Sequence, residues 1–468
     1  MSVKGGKIRS LLILIGDILI VPFSYVAGYY LRFGTLLGFR EKFALWFIPL
    51  MTLSYLAIFH FFDLYKLKKN YFTISSFVII SLSIAAASVF VSFLNYAIFL
   101  FPIGRGILAM ANLVLLFSAF VWRGLCYQLF KYLIKPMRLI IVGAGKAGQE
   151  ITQVIESAGE DFEVIGFIED DENEIKKSAQ KENIKILGAS NLLLTLAEKH
   201  RIDQIVFAYG EQENPQLTNN ILQARLRGIE VINMPEMYQN LKLRIPINYV
   251  EDDWFLKEKG FEYPKNILIM KAKRLIDIVV SLFITLISLP FLPIFALFIK
   301  INSRGPVFYI QKRVGQNESV FSLCKFRSMI DKAEENEAVW AAENDKRITL
   351  VGRILRILHL DELPQFWNVI KGEMSLVGPR PERPEFVEEL KKKIPYYSLR
   401  HFMKPGITGW AQVNFPYASS LEDSQEKLEY ELYYISHMNL LFDMRILLKT
   451  AQKIILGEKR IRLNSRGT

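Results

Sequence analysis

Asp361 and Glu362 are adjacent and are followed at once by Leu363 and Pro364, in a stretch whose other ionisable residues are mostly cationic. Arg356 precedes them, and Arg380 is held between Pro379 and Pro381, which restricts its backbone before any ligand arrives. An acidic pair ahead of a proline is an ordinary helix start, where capping and the helix dipole favour carboxylates. Lys325 and Arg327 alternate with Phe326, so both are expected to leave one face of a strand. The plain interpretation of such a set is surface ion pairing. The chemical one is phosphoryl transfer: guanidinium groups bind phosphate oxygens in a fork, and fixed cations neutralise them while a carboxylate attacks phosphorus. A carboxylate repels a diphosphate unless charge is screened, so Mg²⁺ is expected, with Asp361 and Glu362 as its protein ligands.

The elements that must position this chemistry are largely apolar. Of 468 residues 51% are hydrophobic, and the mean hydropathy is +0.20, which points to membrane segments and to two or three domains. The net charge of +11 fits the basic flanks of membrane helices and an anionic cytoplasmic leaflet. No nucleic-acid-binding motif accompanies the charge, so nucleic acid is not an expected partner. Cys126 and Cys324 are far apart and lack histidines at ligand spacing, which argues against zinc and against a disulfide framework.

Four apolar stretches, at about 10–31, 43–62, 73–101 and 106–126, each reach the roughly 20 residues needed to span a bilayer. Ten basic residues flank them on one side (Lys4, Lys7, Arg9, Lys66, Lys68, Lys69, Arg123, Lys131, Lys135, Arg138) and four on the other (Arg32, Arg40, Lys42, Arg105). Both ends of the bundle are therefore expected in the cytoplasm. Asp17 and Asp63 are intramembrane acids, open to a functional or a helix-end capping role.

At Arg138 the character changes. A strand, a glycine turn and a helix are expected, with Gly143, Gly145 and Gly148 in GxGxxG spacing. Strand-like runs at 163–168, 185–189, 204–209 and 228–234 alternate with helical segments, the pattern of a parallel, Rossmann-like sheet. The three glycines are candidates for approach to a diphosphate, and Glu169, Asp170 and Asp171 for the acid after the second strand. A purely structural α/β module is the alternative.

Residues 278–299 carry no charge but contain Pro290 and Pro293. A proline inside a helix costs on the order of 3 kcal/mol, and Ser288 just before the break can return a hydrogen bond to freed carbonyls. The segment, about 273–300, is expected to enter the cytoplasmic leaflet and turn back, with its basic ends on one surface; a proline-kinked spanning helix is the alternative.

Residues 271–468 resemble the catalytic domain of the bacterial polyprenyl-phosphate phosphoglycosyltransferases, the monotopic sugar transferases that begin lipid-linked polysaccharide synthesis. The motifs that carry the resemblance are KRLID, Ser288 with Pro290, QKRVG, KFRSM, LDELPQFWNVIKGEMSLVGPRP and PGITGWAQVN. Four N-terminal spans and an α/β middle resemble the long form of that family, whose members prime exopolysaccharide, capsule or O-antigen. The resemblance implies 1–132 as a four-helix membrane bundle, 133–265 as a Rossmann-like (CoA- or nucleotide-binding-like) domain, and 266–468 as a monotopic α/β catalytic domain with a re-entrant helix, at the bacterial inner membrane with both α/β domains cytoplasmic. It implies Asp361 as nucleophile and Glu362 as its partner, binding metal or activating the acceptor, with Lys325, Arg327, Arg356 and Arg380 on phosphates. A hexose 1-phosphate, with glucose or galactose the hexose by family frequency, would pass from a UDP-sugar to undecaprenyl or another polyprenyl phosphate through a phosphoglycosyl-aspartate, with UMP released and Mg²⁺ as cofactor. Glu431 stands where the family carries Asp.

Two other functions compete. A membrane-tethered NAD-dependent oxidoreductase or epimerase rests on the GxGxxG and needs a YxxxK pair between 138 and 270, where none is expected. A non-catalytic scaffold would use the middle domain for oligomerisation, and a homodimer is compatible with either enzyme or scaffold.

Overall fold

The structure is a computed structural model and describes residues 3–37, 39, 47–62, 64–65, 74–96, 104–133, 135–159, 161–171, 175, 185–208, 215–258, 260–262, 267–330, 347–415 and 420–456. Asp63 and the flanking residues Arg40, Lys42, Lys66, Lys68 and Lys69 lie outside them. The chain divides into two compact units, Met1–Ile232 and Asn233–Thr468.

The first unit opens with helices α1 (Val3–Phe33), α2 (Phe47–Phe61), α3 (Ile74–Leu94) and α4 (Arg105–Leu133). Three contain stretches long and apolar enough to cross a membrane, Ser10–Phe33, Ser76–Leu94 and Arg105–Phe130. Helix α2 covers Phe47–Phe61, and residues 43–46 of the span expected over 43–62 lie outside the described residues. Polar groups inside the bundle find one another, as they must where no water is at hand. The Tyr25 and Tyr55 hydroxyls lie 3.0 Å apart, and Tyr55 Oη donates to Asn112 Oδ1 at 3.0 Å. Asp17 is not a capping residue: it is 0% exposed in mid-helix and forms a two-pronged pair with Arg123, at 3.0 and 2.8 Å. Arg123 is therefore interior and does not belong among the flanking charges.

The α/β part follows as β1 (Met137–Val142), α5 (Lys146–Ala158), β2 (Phe162–Ile168), β3 (Ile186–Gly188), α6 (Leu193–Lys199), β4 (Gln204–Phe207), α7 (Pro215–Leu226) and β5 (Glu230–Asn233). The strands run in the order β3-β2-β1-β4-β5, with β1 parallel to β2 and β4, and β2 parallel to β3. Leu139–Val142 in the central strand are buried on both faces, which is why β1 reads as an unbroken apolar run.

The second unit contains α8 (Met234–Lys242), α9 (Asp252–Lys257), α10 (Ile267–Ser288), α11 (Leu292–Asn302), the antiparallel pair β6 (Phe308–Val314) and β7 (Val320–Phe326), α12 (Leu350–Ile357), α13 (Gln365–Lys371), β8 (Ser375–Val377), α14 (Pro384–Lys393), β9 (Gly406–Thr408), α15 (Trp410–Asn414), α16 (Leu421–His437) and α17 (Leu440–Leu456). It begins at Asn233, well before the expected boundary at 266. The reason is burial: Ile245, Ile247 and Val250 enter the same core as Trp410, Leu432 and Ile446, and Trp410 Nε1 donates to Leu243 O at 2.9 Å.

Between α10 and α11 lies a 3-10 turn, Leu289–Phe291, that holds Pro290, while Pro293 sits in the first turn of α11. Ser288 Oγ donates to Thr285 O at 3.0 Å. Helix α10 is fastened to the domain by buried polar bonds. Lys273 Nζ reaches Val377 O at 3.0 Å and Asp443 Oδ2 at 2.6 Å, and Asp277 Oδ1 accepts from Leu376 N at 3.0 Å. Arg274 donates to the last carbonyls of α13, Val369 O at 2.6 Å and Ile370 O at 2.8 Å, the end of a helix that favours a cation. Helix α11 is fastened too, through Ile299, which is buried with Phe326 and Leu355.

Candidate active site

Asp361 is placed by a tight local path. Thr349 Oγ1 caps α12 by accepting from Gly352 N at 3.0 Å, and no side chain could replace Gly352, because a Cβ there would lie 1.9 Å from Ser328 O. After α12 the backbone turns through His359 at φ 53°, a left-handed conformation that costs an L-residue roughly 1–2 kcal/mol. The 3-10 turn Leu360–Glu362 follows, and Asp361 ends 9% exposed at the wall of a cavity of about 700 Å³.

The cations come from three other segments. Lys325 on β7 stands opposite Tyr309 on β6, with Nζ 5.1 Å from that ring's centroid. Arg356 on α12 donates from Nε to Ser328 Oγ at 2.8 Å. Arg380 Nη2 donates to Glu362 Oε1 at 3.1 Å. The loop that carries Arg380 is held on all sides. Gly378 N donates to Thr408 O at 2.9 Å and Gly406 N to Pro379 O at 2.8 Å. This crossing requires glycine, since a Cβ on Gly378 would lie 2.3 Å from Lys404 O and one on Gly406 2.1 Å from Gly378 N. Thus the GPRP and PGITG motifs are two halves of one crossing.

Arg327 does not join this set. It lies one residue past the end of β7, is 5% exposed, and donates from Nη2 to Ser303 O at 2.8 Å and Ser303 Oγ at 2.9 Å. It is absent from the cavity lining and instead holds the C-terminal end of α11. The strand alternation that pairs it with Lys325 stops before it is reached.

Residues that the sequence reading did not assign complete the wall. Arg313 donates from Nη1 to Pro381 O at 3.0 Å and from Nη2 to Gln311 Oε1 at 2.6 Å. Arg400 Nη2 donates to Arg380 O at 2.8 Å and to Glu431 Oε1 at 2.9 Å, while Glu431 Oε1 also accepts from Arg380 N at 3.2 Å. Glu382 pairs with Lys427. Tyr309, Gln311 and Arg313 alternate along β6, and that period of two was the available signal. For Arg400, Glu382 and Lys427 no local pattern marks the role, because their partners are distant in sequence.

Among the described residues the cavity is lined by nine Lys or Arg side chains against four Asp or Glu, a balance that favours a polyanion. Burial, and next the neighbouring Glu362, push the Asp361 carboxyl above its ordinary pKa, against the pull of Lys325 and Arg356. Lys325 is brought down to about 8 by burial and by Arg313 and Arg356. Glu382 is held at about 2: burial pushes it up, but Lys427 and Arg400 outweigh that.

Residues 268–457 match the bacterial sugar transferase family and residues 60–235 a CoA-binding domain family. An uncharacterized sugar transferase of Bacillus subtilis is 35% identical over 189 residues, 40% of this chain and 90% of that protein. The chain belongs to the bacterial sugar transferase family. Other relatives match over longer stretches. The UDP-N-acetylgalactosamine-undecaprenyl-phosphate N-acetylgalactosaminephosphotransferase of Aeromonas hydrophila is 38% identical over 232 residues, 50% of this chain and 54% of that protein. The UDP-glucose:undecaprenyl-phosphate glucose-1-phosphate transferase of Klebsiella pneumoniae is 34% identical over 294 residues, 62% of each. The chain spans about half to three fifths of the length of these two relatives.

In this family member the glycine loop of the first unit has a packing rationale. A Cβ on Gly148 would lie 1.9 Å from Gly143 O, and Gly143 has φ 109°. Glu169, 1% exposed, does not face outward to a ribose: Oε2 accepts from Ala144 N at 2.7 Å and Oε1 from Asp170 N at 2.9 Å. Asp170 Oδ1 accepts from Ser190 N at 2.7 Å. One amide of the loop is therefore held by the protein's own carboxylate. The YxxxK spacing that an oxidoreductase needs does occur, as Tyr238 and Lys242 on α8. Tyr238 is buried with the Arg244 guanidinium 5.4 Å from its ring centroid, so it packs rather than presents a hydroxyl.

Proposed function

We propose that the protein transfers a sugar 1-phosphate from a UDP-sugar to a polyprenyl phosphate such as undecaprenyl phosphate, and releases UMP. The observation that carries this reading is Asp361 buried in a cation-rich cavity with Glu362 tied to Arg380. A carboxylate oxygen of Asp361 attacks the sugar-bearing phosphorus, and the bond to the α-phosphate oxygen breaks as UMP leaves. Lys325, Arg356 and Arg380 neutralise the phosphate oxygens during that step. An oxygen of the polyprenyl phosphate then attacks the phosphoglycosyl-aspartate, freeing the carboxylate and giving the polyprenyl diphosphate sugar. Charge balances in both steps without a proton entering. The donor sugar is a hexose or N-acetylhexosamine, in keeping with relatives named for UDP-glucose and UDP-N-acetylgalactosamine.

Mg²⁺ fits the donor set in one particular way. Among the described residues no group of three or more His, Cys, Asp or Glu side chains forms a cage. Mg²⁺ is commonly held by one or two carboxylates with substrate phosphates and water, and Asp361 with Glu362 offers that minimum. When bound it would neutralise charge on the leaving phosphate.

The α10–α11 segment is read as a re-entrant hairpin in the cytoplasmic leaflet of the inner membrane, with the α/β units in the cytoplasm. In support, both arms are bonded to the same domain. Lys273 and Asp277 reach β8, while Ile299 and Phe295 meet Phe326. The strand order of the first unit supports a Rossmann-like fold. Membranes containing the protein, given labelled UDP-hexose and Mg²⁺, should yield labelled lipid and UMP, and Asp361→Asn should yield neither. Turnover that survives Asp361→Asn would remove Asp361 from the chemistry.

A further inference from the structure

Helix α10 presents a single stripe to the domain. Lys273, Asp277, Val280 and Ile284 follow one another at helical spacing. The first two are pinned to β8, which fixes the rotation of the helix. The second two line the same cavity as Asp361, and so do Leu447 and Ile454 of α17. On the opposite side of α10, Leu282, Phe283, Leu286 and Ile287 are exposed, on a helix segment apolar enough to lie in lipid.

The cavity is thus chemically two-sided, cationic around Asp361 and aliphatic at Val280 and Ile284 of α10 and at Leu447 and Ile454 of α17, beside Thr450 and Lys453 of the same helix. A UDP-sugar is polar throughout and has nothing to place against Val280 or Ile284. A polyprenyl phosphate has to bring its phosphate to Asp361 while its chain stays in hydrocarbon, and the inner stripe of α10 is the wall that connects the two. We propose that the first isoprene units of the acceptor lie between Val280 and Ile284 on α10 and Leu447 and Ile454 on α17, and that this groove is the acceptor-chain site. The assignment rests on the phosphotransfer reading above.

The test separates the two substrates. In the full-length protein in membranes, Ile284→Trp should raise the KM for polyprenyl phosphate roughly tenfold, as occlusion of an apolar pocket does, and leave the KM for UDP-sugar in place. Ile284→Ala should shift the acceptor KM by a smaller factor in the same direction, which covers failure of the Trp variant to accumulate. Leu282→Trp, on the outer face, should change neither. Independently of turnover, a benzophenone-bearing farnesyl phosphate irradiated with the unaltered protein should label peptides containing 280–284 and 447–454. A rise in the KM of both substrates together, an acceptor effect from Leu282→Trp alone, or labelling confined to other segments overturns the groove. Absence of UMP release from the unaltered protein is a different result: it removes the phosphotransfer reading itself, and with it this one.

Discussion

Glu362 Oε1 accepts a hydrogen bond from Arg380 Nη2 at 3.1 Å, and this contact joins the acidic pair to the Gly378–Pro381 loop. The two residues arrive from different elements, the 3-10 turn after α12 and the loop after β8, so the bond fixes the separation of the acidic turn and that loop. It also leaves the Glu362 charge beside Asp361, where it raises the Asp361 pKa.

Glu362→Gln should therefore move the acid limb of the pH–rate profile to lower pH. Removing a neighbouring negative charge makes the Asp361 carboxylate easier to form, while the Gln side-chain oxygen can still accept from Arg380. Measurement of kcat/KM between pH 4 and 8 checks the direction; a limb that does not move shows that the acid limb belongs to another group.

Activity should fall on the alkaline side near pH 8. In the proposed reaction Lys325 is protonated to neutralise phosphate oxygens, and burial with Arg313 and Arg356 nearby brings its pKa down to about 8. Lys325→Arg retains the charge at all accessible pH, so its alkaline limb should disappear even if kcat drops. Persistence of the same limb in that variant would assign it to another group.

Asp361→Asn should abolish turnover and raise the melting temperature at neutral pH. A carboxyl whose pKa is higher folded than unfolded is least costly below the unfolded value, and its stability contribution is lost as pH rises through the folded value. Replacing it with a neutral amide removes that cost. The gain should vanish when melting is measured well below pH 4, and an equal gain at every pH would point to packing instead.

Lys273→Met should destabilise the second unit by about 3–5 kcal/mol, because Asp443 would remain buried without its cationic partner, bonded to Tyr434 Oη. Asp277→Asn should be tolerated, since the amide oxygen can still accept from Leu376 N, whereas Asp277→Leu should lose both stability and activity. Thermal unfolding and turnover of detergent-extracted protein give both comparisons.

Much of the site was legible because its chemistry lies in short local motifs. Asp361-Glu362, the prolines around Arg380 and the Lys325 strand position could each be read from adjacent residues. Arg327 was misread because strand alternation was carried one residue beyond the end of β7, into a turn where the backbone re-aims the side chain at Ser303. Arg400 and Glu431 were not assigned to each other because their pairing spans 31 residues and depends on tertiary packing. Asp17 and Arg123 are further apart still, so a buried pair between α1 and α4 looked like a helix-end acid and a flanking base. In the α/β part the strand–helix alternation gave the sheet, but the inward turn of Glu169 onto Ala144 N is a loop detail that composition does not encode.

The bonds from Lys273, Arg274 and Asp277 to Val377 O, Val369 O, Ile370 O and Leu376 N bear on any attempt to prepare the second unit without its long apolar helix α10. Excising α10 would strip hydrogen-bond partners from the main chain of β8 and the end of α13, which flank the candidate site. A trimmed, water-soluble enzyme is therefore not reached by deletion alone; those four backbone groups would first have to be given replacement partners.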